Sequence, residues 1–243
     1  MILRRLKAHI EKENWFAVGI DFCIVVIGVF IGLQVANWNV VRADQIRTVA
    51  LLERLDRDFE GMRVRAVEQN RQFYDNTVKL NKLLSRAEDA DDIITDEEAG
   101  QLLNGALLFR TPQAAPISFQ EMLAAGRLEL LRDPALRRVL REYAASARVV
   151  ESGSDLIAND YIVVLRELSP SITVTRAPNA IGAESATGVA ALSVAALRED
   201  PKVRGLVTHL FLGHGNMQSL TEQQISSIDE VLRGLRASAE SQP

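Results

Sequence analysis

The sequence predicts an all-α protein: an N-terminal transmembrane helix continuing into a long helix and a helical bundle domain. Three observations carry that expectation. An apolar run of about two dozen residues lies between Trp15 and Trp38, long enough to span a bilayer. Residues 41 to 87 hold no proline and one glycine, Gly61, with apolar residues recurring every seven. Beyond them, helix-starting devices recur in place of alternating strand patterns.

The anchor comes first. Phe16 to Ala36 as a helix spans about 32 Å, against a hydrocarbon core of roughly 30 Å. Trp15 and Trp38 fall at its ends, where interfacial aromatics belong. Arg4, Arg5, Lys7 and Lys12 precede the run as they would in a cleaved signal peptide, but the run is too long for one. Asp21 interrupts it, and no small-x-small site ends it. A lipoprotein reading of Cys23 fails because Asp21 and Phe22, not small residues, stand before it. Arg42, Arg47, Arg54 and Arg57 nearly balance the cations on the other side, so orientation rests on the short basic tail, residues 1–14, staying cytoplasmic while a long domain translocates.

Composition narrows the function. The 243 residues, 47% hydrophobic and 25% charged, leave enough chain beyond the anchor for one domain with a core. A net charge of -4 excludes a general phosphate-neutralising surface, so nucleic acid is not an expected partner. Cys23 is the only cysteine, so neither a disulfide nor a thiolate metal site forms within one chain.

The long juxtamembrane helix is expected over 39–87. Leu52, Phe59, Ala66, Phe73 and Leu80 fall on one heptad position, and Leu55, Met62, Gln69, Asn76 and Leu83 on another. The second row turns polar halfway, which favours packing inside the chain's own bundle, residues 88–238, over a zipper between subunits. Acidic residues from Glu88 to Asp92 end this helix. Thr95 and Glu98 then form a capping box for a short helix to about Phe109. The acids lack the spacing and glycine of a calcium loop.

After a connector at Thr111 to Pro116, Ser118 and Glu121 read as a second capping box, with the helix stopping at Gly126. Asp133-Pro134 starts a helix to about Glu167, in which Ser152 to Ser154 mark a kink or break. Ser169 to Gly188 reads as the longest loop, with a short strand at Ile172 to Thr175 that lacks an obvious partner. A short helix is expected at Ala190 to Arg198. Asp200-Pro201 opens the last one, about 201 to 238, with Gly213 and Gly215 as a break and 239–243 frayed.

Chemistry-bearing motifs are sparse. His209 and His214 stand five apart, a spacing that does not place two ligands on one helical face, and no glutamate lies between them. Ser152-Gly-Ser154-Asp155 and Gly213-His-Gly215-Asn216 are not nucleophile elbows. No catalytic, cofactor-binding or metal site is assigned, and no enzyme is expected. The sharpest residue is Asp21, because an ionisable group within a span is costly and by default functional. At about 100° per residue, Asp21, Val25, Gly28, Gly32 and Val35 share roughly an 80° arc. A carboxyl aligned with a G-x-x-x-G predicts contact with another transmembrane helix, from the same protein or a partner.

The stretches V-V-I-G-V-F-I-G-L-Q-V-A-N-W-N at 25 to 39 and S-F-Q-E-M-L-A-A-G-R-L-E-L-L-R-D at 118 to 133 resemble an uncharacterised family of bacterial single-span membrane proteins. Asp21, Gly28, Gln34, Asn37, Trp38 and Asn39 carry the first likeness, and Gly126, Leu128 and Leu130 the second. Val40 departs from the acidic residue expected after N-W-N. The resemblance implies a bacterial inner-membrane location with an extracytoplasmic domain, and no known activity. The expected role is a non-enzymatic envelope interaction or scaffold protein in contact with the lipid bilayer, possible as a homo-oligomer. The alternative is an accessory or sensory subunit that binds a ligand and signals through a membrane partner, since about 14 residues before the span cannot form an output domain of their own.

Overall fold

The computed structural model describes residues 15–107, 110–178 and 184–240, with side chains described at all of these except 15–19, 21, 41, 44, 130, 178 and 184–186. The expected cytoplasmic tail and Phe109 lie outside the described residues. Two compact units divide the chain, residues 1–52 and 53–243. Helix α1 spans Trp15–Glu88. Its N-terminal part includes a stretch long and apolar enough, by length and composition, to cross a membrane, and none of that stretch is buried.

The second unit is helical with one small sheet. Its elements follow in order: α2 (Asp96–Leu103), α3 (Ile117–Ala124), a 3-10 turn at Arg127–Leu130, α4 (Pro134–Leu168), a 3-10 turn at Ser169–Ser171, β1 (Ile172–Pro178), β2 (Glu184–Leu192), α5 (Val194–Glu199) and α6 (Pro201–Glu240). Three long segments form the frame. Glu60, Arg63 and Asn70 of α1 bond Arg236, Asp229 and Gln218 of α6, so residue numbers rise on one helix as they fall on the other. The Ser146–Ser227 and Glu167–Lys202 contacts run α4 antiparallel to α6 in the same way.

Side-chain size sets how these helices meet. The α4–α6 seam is lined by small residues: a methyl at Gly153 would stand 3.0 Å from Leu220, and one at Gly234 3.4 Å from Leu136. Absent side chains let the two helix backbones approach closely. Large residues of α1 fill the space facing them: Phe59, Met62, Leu80 and Leu83 are fully or almost fully buried, with Phe73 close behind. Phe59, Phe119 and Tyr143 meet edge to face at centroid distances of 4.9 to 5.7 Å, a geometry that aromatic quadrupoles favour. Both heptad rows from Leu55 to Leu83 therefore pack within the chain, Gln69 being half-buried and Asn76 buried.

Local devices start most helices where expected. Thr95 and Glu98 form the capping box of α2, and Asp133 accepts from the Ala135 and Leu136 amides at the head of α4. Such caps contribute about 1 kcal/mol each. Five boundaries differ from the sequence expectation. Helix α2 stops at Leu103, where Asn104 caps it and Gly105 turns the chain with φ +87. Helix α3 begins at Ile117 after Pro116; Ser118 is not its cap but a buried residue inside the first turn. Gly126, at φ +64, does end that segment as expected. Helix α4 runs unbroken through Ser152–Ser154, because Gly153 is the site of Leu220 packing and Ser154 returns its hydroxyl to the Val150 carbonyl. Helix α6 likewise continues through Gly213 and Gly215 to Glu240, which includes the first two residues of the stretch expected to fray.

The largest difference is a β-hairpin. The strand at Ile172 does have a partner, β2, drawn from what reads as loop and helix start; Ile172 pairs with Leu192 and Thr175 with Gly188, antiparallel with two irregularities. The short helix expected from Ala190 consequently begins at Val194, after the Ser193 cap. The hairpin lies on α2, where Gly100 meets Ala191: a methyl there would sit 2.6 Å from the Ala191 Cα. Val189 and Leu192 thereby join the core formed by Leu80, Leu83, Leu103, Leu168, Leu197 and Leu210.

Candidate functional site

The five residues expected to form an interface all stand on α1, spaced alternately by four and three. That spacing keeps them on one strip of the helix. Val25 and Val35 are exposed, and a methyl added at Gly28 or Gly32 would have no atom within 4 Å. The strip is open. Trp38 is exposed too, with the Arg42 guanidinium 5.5 Å from its ring centroid, an arrangement that holds a cation over an aromatic face. The side chains of Asp21 and Trp15 lie outside the described set.

Within the second unit one polar assembly is buried, and its members come from four parts of the chain. Tyr161 of α4 donates its hydroxyl to the Ala106 carbonyl, and the His214 Nε2 of α6 lies 2.9 Å from the same oxygen. Asn76 of α1 donates to the neighbouring Gly105 carbonyl at 3.3 Å. Phe73 and Tyr161 flank the imidazole. A carbonyl only accepts, so His214 carries its proton on Nε2. Burial pulls its pKa down, partly opposed by the bond to Ala106, and the ring is neutral at pH 7. Burial pushes the Tyr161 and Tyr143 phenols well above their ordinary value, so neither acts as a base or nucleophile near neutrality. These side chains hold the 104–107 turn in place; they are equipped for anchoring and not for acid–base chemistry.

The two histidines thus part company. His209 is exposed, its Nε2 3.8 Å from an Asp160 carboxylate oxygen, whereas His214 is buried. Spacing of five puts them on different faces. A signal for the buried one existed in the sequence: Leu210, His214, Met217, Thr221, Gln224, Ile228 and Val231 step by four and three, and all are buried.

Clefts open among the described residues of this unit, two of them beside charged side chains. One of about 410 Å³ lies between the 111–120 segment and α4, with Arg148, Glu151 and Asp155 on its rim. The other, about 540 Å³, lies between α1 and α6 and is lined by Glu60, Arg63, Asp229, Arg233 and Arg236. In the second, Arg63 pairs with Asp229 at 2.5 Å and Arg236 with Glu60. Carboxylate and guanidinium thus answer each other there, and the cleft serves as an inter-helix clamp. Among the described residues, no three or more His, Cys, Asp or Glu side chains are grouped to hold a metal ion.

The acidic segment after α1 is organised by arginines. Arg86 pairs with Asp92 at 2.8 Å, and Arg198 donates to the carbonyls of Arg86, Asp89 and Asp92. The hydrogen bond from Arg86 holds the Asp92 carboxyl below its usual range. Fold and site together define a helical protein with an exposed apolar helix segment. Comparison of the chain with family models, curated proteins and solved structures returns no significant match.

Proposed function

We propose that this chain is a single-pass bacterial membrane protein, N-terminus cytoplasmic and C-terminal domain extracytoplasmic, that works as a non-enzymatic interaction or scaffold protein. It belongs on this reading to the uncharacterised single-span family it resembles. Its transmembrane helix pairs with another through Asp21, Val25, Gly28, Gly32 and Val35. One observation carries the reading: eleven large apolar side chains from Ile20 to Val35 are exposed together. At about 1.5–3 kcal/mol for each such side chain, leaving them in water costs on the order of 20 kcal/mol. A contiguous apolar surface of that extent marks a membrane or partner contact, so on this reading lipid and protein cover them. The open backbone at Gly28 and Gly32 admits a second helix at close range, and a carboxyl on that face gains from a polar partner across it.

The test is the size of complexes extracted from membranes in mild detergent. Gly28→Leu and Asp21→Leu are expected to shift the protein from a discrete complex to monomer, whereas Phe30→Leu, on another face, leaves the complex intact. Unchanged complexes in both interface variants would sink the proposal.

A further inference from the structure

The cleft between the 111–120 segment and α4 carries charges that the fold leaves unused. Its volume of about 410 Å³ falls within the roughly 300–1,000 Å³ of small-molecule sites. Arg148, Glu151 and Asp155 are the charged residues of its lining, and all three are exposed. None of them makes a hydrogen bond or ion pair with another described residue, unlike the paired charges of the cleft between α1 and α6. Spacing of three and then four keeps them within roughly a 60° arc of α4, with helical rises of about 4.5 Å from Arg148 to Glu151 and about 6 Å from Glu151 to Asp155.

The rest of the lining is largely apolar. Ala115, Phe119 and Ala147 are buried in it, and Leu123 shows 37% of its surface. Phe119 meets Tyr143 at 5.3 Å between centroids, which sets its ring beside α4 about one turn before Arg148, where Ala144 also lines the cleft. An apolar end, one guanidinium and two carboxylates therefore follow one another along the helix.

We propose that this cleft binds an apolar α-amino acid, with its carboxylate on Arg148, its ammonium between Glu151 and Asp155, and its side chain against Phe119, Leu123 and Ala144. A guanidinium presents paired donors to a carboxylate, and an ammonium has three donors to place. Two go to the carboxylates. Ser154, 2% exposed, lines the same wall and gives its own proton to the Val150 carbonyl, so its oxygen retains acceptor capacity for the third. A zwitterion answers both signs, whereas a simple anion meets two carboxylates and a simple cation meets Arg148. The apolar end gives the side chain a surface to cover. The site lies wholly in the second unit, so its failure would leave the membrane reading untouched, and the reverse also holds.

The experiment is calorimetric titration of the full chain in detergent with L-leucine and three relatives that each lack one feature. Leucinamide lacks the carboxylate, isocaproate the ammonium and glycine the side chain. Leucine is expected to bind, and each relative about tenfold more weakly. Arg148→Gln is expected to weaken leucine about tenfold and leave leucinamide unchanged, while Glu151→Gln combined with Asp155→Asn weakens leucine and leaves isocaproate unchanged. These side chains are exposed and unpaired, so the variants keep the fold. No heat with leucine at millimolar concentration would overturn the proposal. So would glycine binding as tightly as leucine, or leucine affinity unchanged in both variants.

Discussion

The Tyr161 and His214 rings stand perpendicular, 89° between planes and 6.3 Å between centroids, and both reach the carbonyl of Ala106. One backbone oxygen thus ties α4 and α6 to the turn after α2. Its two acceptor sites are used by two donors, which is the most a carbonyl offers.

That arrangement makes stability depend on pH through His214. Its folded-state pKa lies below the unfolded value, because burial disfavours the imidazolium. Above the unfolded pKa of about 6.5 both states are neutral and the contribution is fully present. As pH falls below that value the unfolded chain binds the extra proton and stability drops, until the folded pKa is reached. His214→Leu removes this component: at pH 7.5 it is destabilised by about 1–3 kcal/mol for the lost donor, and the gap to the native chain narrows towards pH 5. Chemical unfolding of the detergent-solubilised protein at several pH values measures both. A constant gap would show that His214 does not carry the pH dependence.

Gly100 and Gly61 predict opposite outcomes for one substitution. At Gly100 a methyl meets the Ala191 Cα at 2.6 Å and the Ala190 oxygen at 2.8 Å, both backbone atoms of β2. Gly100→Ala must move the hairpin from α2 and is expected to cost about 1–3 kcal/mol. At Gly61 the nearest atom is the far end of Arg65 at 3.4 Å, which can swing aside. Gly61→Ala gains helix propensity and is expected to stabilise by about 0.8–1 kcal/mol. Unfolding midpoints that move in the same direction for both variants would contradict this account.

What was legible in the sequence was local. Asp133-Pro134, Asp200-Pro201 and Thr95 with Glu98 act within three or four residues, so the chain itself displays them, and the apolar rows of α1 follow one helix. The hairpin was not legible, because β2 is small-residued and packs on Gly100, which lies more than eighty residues earlier. Glycines at 153, 213 and 215 read as breaks from propensity alone, yet close helix packing at Gly153 needs the missing side chain. Ser118 had a capping spacing, but the turn set by Pro116 starts the helix earlier and buries the hydroxyl. The interface strip was visible as a pattern of faces, whereas the Ala106 centre joins four separated segments and appears only after folding.

Arg198 closes the C-terminal end of α1. One guanidinium nitrogen bonds three carbonyls, at 3.3, 3.1 and 2.7 Å, and brings positive charge to the negative end of a helix. Arg198→Ala strands those oxygens and is expected to cost about 1.5–3 kcal/mol. Hydrogen exchange should then quicken over residues 86–94 while the α4–α6 seam stays protected. Arg198→Lys, keeping the charge and one donor group, should recover part of the loss. Uniformly faster exchange across all helices would mean that Arg198 supports the whole fold and not this end of α1.

Cys23 gives a direct test of the membrane reading, since it is exposed on the apolar stretch of α1. Maleimides react with thiolate in water, and a charged maleimide does not enter hydrocarbon. In intact cells opened at the outer envelope, native protein should remain unlabelled at Cys23, and label after heating in dodecyl sulfate. Ile93→Cys, placed in the Cys23→Ser background, supplies the companion site at a residue 89% exposed. Labelling of that site without breaking the inner membrane is the outcome expected for an extracytoplasmic domain; labelling only after lysis reverses the orientation. Equal rates at Cys23 and Ile93→Cys under native conditions would mean that water reaches the apolar stretch, and the spanning helix would have to be abandoned.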